Sequence, residues 1–147
     1  MPASRILGVL RRRIPALFGR DDRVTAIYLF GSAARTPERQ PRDLDLAFLM
    51  APSFDPERDF DFPLRARTRL EEETGTAVDV VVLNTADPVL QYQIRRDGKL
   101  LLERDRQARI GWEVHSRKLW FDRQPAHRLY MQKLEDRLLQ TGETHGR

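Results

Sequence analysis

Residues 28–50, YLFGSAARTPERQPRDLDLAFLM, constrain this chain more than any other stretch: a Gly-Ser pair, Gly31 and Ser32, closes one apolar run, and an acidic pair, Asp43 and Asp45, opens the next. A β-strand over Asp43–Met50 places alternate side chains on opposite faces, so Asp43 and Asp45 point the same way with Cα atoms roughly 6.5 to 7 Å apart. Leu44, Leu46, Phe48 and Met50 then line one face, and Ala47 and Leu49 continue the acidic face as an apolar one. Both sides of such a strand are expected to be buried, which places it inside a sheet rather than at a solvated margin.

Two carboxylates at the mouth of a buried strand repel each other and resist desolvation. A divalent cation removes both problems. Mg²⁺ in particular is held by one or two protein carboxylates together with waters and substrate phosphates, which makes a nucleoside triphosphate its natural companion. The preceding run, Val24–Phe30, is β-branched and aromatic and ends in Gly31-Ser32-Ala33-Ala34-Arg35. Glycine lets a phosphate approach the backbone, and the small residues after it suit the first turn of a helix whose free N–H groups attract anions. Ser32 has a hydroxyl to donate to a phosphate oxygen, and Arg35 adds charge. Taken singly, each half has a plainer reading: Gly-Ser after a strand is a turn, and Asp-x-Asp at a strand end is a solvated edge or an ion-pair partner. Their order, with ten residues between Ser32 and Asp43, favours the joint reading.

This arrangement resembles the DNA polymerase beta-like nucleotidyltransferases, and more closely their minimal branch, in which Gly-Ser, a spacer of about this length and Asp-x-Asp are followed by a third carboxylate on a later strand. Here that carboxylate is Asp79, in AVDVVVLN. The segment VDVVVLNTADPVLQYQIRRDGKLLLERD is similar to the continuation found in MNT antitoxins of HEPN/MNT toxin-antitoxin pairs, so the likeness spans residues 24 to roughly 105. Two positions depart from the pattern. Arg42 stands where Ser often precedes the acidic pair, and Thr36 where Gly often follows Gly-Ser-x-x-Arg. Neither departure removes a carboxylate.

The resemblance implies an α/β nucleotidyltransferase fold, a small mixed sheet flanked by helices with further helices at the C-terminal end. It implies ATP as substrate and two Mg²⁺ ions held by Asp43, Asp45 and Asp79, which are also the catalytic residues. Gly31, Ser32 and Arg35 would bind the nucleotide. The implied reaction moves AMP from ATP onto a hydroxyl, releasing pyrophosphate, and in the MNT antitoxins the acceptor is a tyrosine of the cognate HEPN ribonuclease toxin, which the modification silences. The alternative is a non-catalytic antitoxin that neutralises its toxin by binding alone. A length of 147 residues leaves no room for the separate acceptor-binding domain of antibiotic or tRNA nucleotidyltransferases, which favours an acceptor supplied by a partner protein.

Composition agrees. A chain of this length with 40% hydrophobic residues fits one domain with its own core, expected over residues 24–103, with a helical segment over 104–140. No run approaches the length of a membrane span, and the start MPASRILGVLRRR is too charged for a signal peptide, so a soluble cytoplasmic protein is expected. The absence of cysteine excludes disulfides, thiolate zinc sites and cysteine nucleophiles. The net charge of +4 comes from basic residues interleaved with Asp and Glu, as on solvated helix faces. No aromatic-studded basic stripe argues for nucleic acid as a direct ligand.

In chain order, Ile6, Leu7, Leu10, Ile14, Leu17 and Phe18 predict a helix over residues 4–18 with Ser4 as N-cap and Pro15 disturbing its last turn. Arg11, Arg12 and Arg13 are expected to face water. Asp55, Asp59 and Asp61 lie in a proline-punctuated loop and read as turn and helix-entry residues rather than ligands. A helix over 63–74 stops at Gly75, a third strand runs over 77–83 with Asp79 alone among apolar neighbours, and Asp87-Pro88 opens a helix that ends before Gly98. A salt bridge to an arginine is the plain alternative for Asp79. Lys99–Glu103 reads as a fourth strand. Beyond it Gly111 and Pro125 are expected to divide a helical region into pieces, with Trp112 and Trp120 as candidate partner contacts. His115, His127 and His145 lack metal-ligand spacing, and residues 141–147 are expected to fray.

Overall fold

A computed structural model of the chain describes residues 2–145, apart from the side chains at 124–127, 131 and 141–145. Its elements run α1 (Ala3–Phe18), β1 (Val24–Phe30), α2 (Ser32–Arg35), β2 (Asp43–Met50), α3 (Phe62–Thr74), β3 (Ala77–Val82), a 3-10 turn (Leu83–Thr85), α4 (Pro88–Asp97), β4 (Lys99–Glu103) and α5 (Arg106–His145). The four strands form one sheet in the order β3-β2-β1-β4. β1 pairs antiparallel with β2 and with β4, while β2 and β3 are parallel. The parallel pair requires a crossover between β2 and β3, and α3 is that crossover.

The period-2 patterns of the strands sort residues onto two apolar faces. Ile27 and Leu29 of β1, Leu44, Leu46, Phe48 and Met50 of β2 and Val78 of β3 join Leu10, Ile14, Phe18, Phe62, Ala66 and Leu70 beneath α1 and α3. Phe18, Phe48 and Phe62 meet edge to face there, with ring centroids 5.1 to 6.3 Å apart, an arrangement aromatic quadrupoles prefer. On the other face Ala26, Tyr28, Ala47 and Leu49 meet Leu83 and Ile94 under α4, with Trp112 of α5 against them. The side chains of Asp43, Asp45 and Asp79 share this second face by alternation along their strands.

Two loop carboxylates brace the first face. Asp59, only 8% exposed, accepts from Arg23 at 3.1 Å and from Arg58 at 3.0 Å, and Arg23 also pairs with Asp21 at 2.8 Å. Asp61 sits at the N-cap of α3 without a capping bond and pairs with Arg65, and Asp55 accepts from the N–H groups of Glu57 and Arg58. Gly75 ends α3 with φ 67°, the left-handed cap. The Asp87 carboxylate accepts the Val89 N–H at 2.7 Å and opens α4.

Several expectations are corrected. α1 begins at Ala3 with Pro2 at its N-cap, so Ser4 lies inside the helix and caps nothing. Tertiary bonds do that work: the Ala3 and Ser4 N–H groups donate to the carbonyls of Arg39 and Pro37. Leu83 leaves β3 for the 3-10 turn, because Asn84 folds back and bonds the Met50 N–H and C=O at 2.8 and 2.9 Å. Gly111 and position 125 do not divide the C-terminal region, which is one 40-residue helix. That helix carries the backbone through 141–145, where fraying is expected from the sequence, and the last two positions of that expectation, 146 and 147, lie outside the described residues. The two tryptophans, both half-buried, also have partners within the fold: Trp112 packs on Tyr28 at 5.9 Å and Trp120 stacks on Tyr92 at 4.4 Å. No described helix is long and apolar enough to cross a membrane.

Candidate active site

Strand register assembles the carboxylates. Alternation along β2 points Asp43 and Asp45 to one face, and the parallel pairing of β2 with β3 sets Asp79 directly beside Asp45. One ligand oxygen from each of the three lies within 4.8 Å of the other two. Asp43 and Asp45 are half-buried and Asp79 is exposed, which corrects the expectation of a carboxylate enclosed by apolar neighbours. β3 is the outer strand, so its acidic side chain reaches solvent. None of the three carboxylates makes an ion pair or side-chain hydrogen bond with another described residue, so the arginine bridge foreseen as the plain alternative for Asp79 does not form.

Unpaired like charges at this spacing repel by about 1 kcal/mol per pair in bulk water and by about 3 kcal/mol near a protein surface. Asp45 shows the consequence. Its carboxyl is raised above its ordinary pKa, first by burial and then by the charges of Asp43 and Asp79, against a smaller opposing pull from Arg35. Three converging hard oxygen donors, none of them ion-paired to a described cationic side chain, fit a hard divalent ion such as Mg²⁺, and Asp43, Asp45 and Asp79 are the residues able to hold it.

The antiparallel pairing of β1 with β2 sets Phe30 opposite Asp45, so the chain turns at Gly31 immediately above the acidic group. Gly31 has φ 71° and ψ −156°, a region open essentially to glycine alone. A Cβ there would also overlap the Asp45 Oδ2 atom. Glycine is therefore required by the carboxylate beneath it as well as by the turn, a constraint the sequence does not display. Ser32 then starts a single helical turn whose first N–H groups, on Ser32 and Ala33, have no helical acceptor. Ser32 is exposed, and its carbonyl is held by the Thr36 hydroxyl at 2.8 Å. Arg35 is exposed at the end of this turn, and its charge acts on both Asp45 and Asp97.

A groove of about 280 Å³ opens between Ser32 and Asp43, lined by Thr36, Arg39, Gln40, Pro41 and Arg42. Both positions that depart from the nucleotidyltransferase pattern, Thr36 and Arg42, line it. Arg39 and Gln40 were not singled out from the sequence, and only their place in the loop joining the two motif halves could have marked them. Another cavity, about 290 Å³ between Phe18, Arg23, Phe62 and Arg69, lies on the opposite face and holds none of the three carboxylates.

A family model described as Polymerase beta, Nucleotidyltransferase matches residues 12–107. No curated protein matches. Among solved structures, a toxin-antitoxin complex with AMP-PNP is similar at 25% identity and TM-score 0.67, covering 84% of this chain and 97% of that one. A tri-AMPylated Shewanella oneidensis HEPN toxin in complex with its MNT antitoxin is similar at 24% identity and TM-score 0.65, covering 87% and 98%. A minimal nucleotidyltransferase is similar at 28% identity and TM-score 0.52, covering 67% and 95%.

Proposed function

Since the chain belongs to the polymerase beta nucleotidyltransferase family, we propose that it transfers AMP from ATP to a tyrosine hydroxyl of a HEPN toxin and acts as that toxin's antitoxin. The observation that carries the reading is the convergence of Asp43, Asp45 and Asp79 within 4.8 Å, directly beneath the Gly31 turn.

In the reaction the acceptor oxygen bonds to the α-phosphorus, the bond from that phosphorus to the β-bridging oxygen breaks, and its electron pair leaves with pyrophosphate. Mg²⁺ held by Asp43, Asp45 and Asp79 would supply neutralisation of the phosphate charge. The chain's own groups do the rest. The Gly31 turn and the free N–H groups of Ser32 and Ala33 receive phosphate oxygens, the Ser32 hydroxyl donates to one, and Arg35 adds a positive charge. Arg39 and Arg42 in the adjoining groove suit the departing pyrophosphate. Asp79, exposed at the outer strand, is open to an incoming hydroxyl and takes its proton. Positioning and charge account for the rate, because phosphoryl-type transfer asks for little covalent help.

Support for ATP comes from the relative solved with AMP-PNP, and support for a toxin acceptor from the relative whose partner is AMPylated. Incubation of the purified chain with labelled ATP, Mg²⁺ and a HEPN-type toxin protein as acceptor, the product of an adjacent gene being the first choice, is expected to label that protein, and Asp43→Ala to lower the labelling rate by at least a hundredfold. Unlabelled partner with wild-type chain, or undiminished labelling by Asp43→Ala, overturns the reading. If Asp43→Asn with Asp45→Asn still protects cells from the toxin, neutralisation works by binding alone.

A further inference from the structure

The outer edge of β3 is open beside the site. Among the described residues β3 pairs only with β2. The Val78 N–H is turned off the sheet and donates to Glu71 Oε2 at 3.2 Å, and backbone groups alternate sides along a strand, so those of Val80 and Val82 are turned outward too. The Val82 carbonyl accepts the Thr85 hydroxyl at 3.5 Å. Val80 is left with an N–H and a C=O that bond no described residue, halfway along the edge and next to Asp79.

Folded proteins usually blunt an open edge with charge, proline or a bulge. The opposite edge shows such devices: β4 begins with Lys99, ends with Glu103 and slips register against β1 between Ile27 and Tyr28. β3, AVDVVVL into the turn, has none of them, and its single charge is the site's own Asp79.

We propose that the acceptor hydroxyl arrives on an extended peptide segment that adds to the free edge of β3 as a fifth strand, bonded through the Val80 N–H and C=O, with the hydroxyl side chain beside Asp79. A residue in register with Asp79 on such a strand lies one interstrand spacing away, about 4.8 Å, on the same face. The repeating backbone donors and acceptors of an edge match another peptide and neither a sugar-phosphate chain nor a small molecule. β3 also carries no basic or aromatic side chain to hold a nucleotide acceptor. The inference rests on the transferase reading above and specifies how that reaction selects its acceptor.

Proline at position 80 removes the outward N–H while leaving the bonds of β3 to β2 in place, as edge strands tolerate. Val80→Pro is expected to bind AMP-PNP with Mg²⁺ as the wild type does, by calorimetric titration, and to label the acceptor protein at least tenfold more slowly. In a second arm, a synthetic peptide spanning the labelled hydroxyl is N-methylated at alternate residues in one phase or in the other. One phase is expected to slow labelling at least tenfold and the complementary phase less than twofold. The inference is overturned by wild-type transfer in Val80→Pro, by loss of AMP-PNP binding together with transfer, by equal effects of the two methylation phases, or by light scattering in which Val80→Pro turns a dimer of this chain into monomers. Wild-type chain that labels no acceptor at all overturns the transferase reading, and this inference with it.

Discussion

Gly31 answers to two constraints at once, a positive φ that other residues avoid and the Asp45 carboxylate lying where a side chain would begin. Gly31→Ala is therefore expected to destabilise the fold by about 1 to 3 kcal/mol in urea titration and to weaken Mg²⁺-dependent AMP-PNP binding at least tenfold; wild-type values for both would contradict the packing described. Asp45 carries the site's electrostatic burden, its carboxyl raised by burial and by its two acidic neighbours. A carboxyl with a higher pKa folded than unfolded holds its proton more tightly in the fold, so the metal-free protein is weakened above that folded pKa and recovers as pH falls through it. Asp45→Asn removes the burden. In EDTA at pH 7 it is expected to melt at a higher temperature than wild type, the gap narrowing on acidification, although it loses activity. A lower melting temperature at neutral pH would show that the carboxylate contributes to stability as an anion.

At the scale of elements, the loop between β2 and α3 is tied by Asp59 to Arg23 in the turn that precedes β1. Its carboxyl is pulled down to about 2 by the Arg58 guanidinium, the Asp55 N–H and Arg23, against an opposing push from burial. A carboxyl lowered in this way stabilises the fold above its unfolded pKa near 4, and that contribution disappears as pH falls from there to about 2. Asp59→Asn is expected to unfold at lower urea than wild type at pH 7 and to lose less of its stability between pH 4 and pH 2; parallel pH profiles would remove the brace. The 40-residue α5 is anchored where Trp112 meets Tyr28. Trp112→Ala is expected to cost about 2 kcal/mol in thermal or urea unfolding of the chain alone, whereas unchanged stability would return this tryptophan to the partner-contact role read from the sequence.

Across the whole molecule, what the sequence disclosed was whatever repeats locally. Alternation in Asp43–Met50 announced a strand buried on both faces with two carboxylates on one of them, and apolar runs announced β1, β3 and β4 within a residue of their ends. What it withheld depends on neighbours distant in the chain. The reason for Gly31 is Asp45 across a strand pair, the exposure of Asp79 follows from β3 being outermost, and Thr36 and Arg42 meet in one groove only after the loop closes. Gly111 failed as a break because one glycine in a long helix costs only about 1 kcal/mol. The claim that unites these scales is that three carboxylates and a glycine turn form one cation-dependent nucleotide site. Calorimetric titration of the chain with AMP-PNP in Mg²⁺ and again in EDTA tests it most directly. The site described here binds the analogue in Mg²⁺, and binding weakens at least tenfold in EDTA or in Asp43→Asn; equal affinity under all three conditions would contradict it.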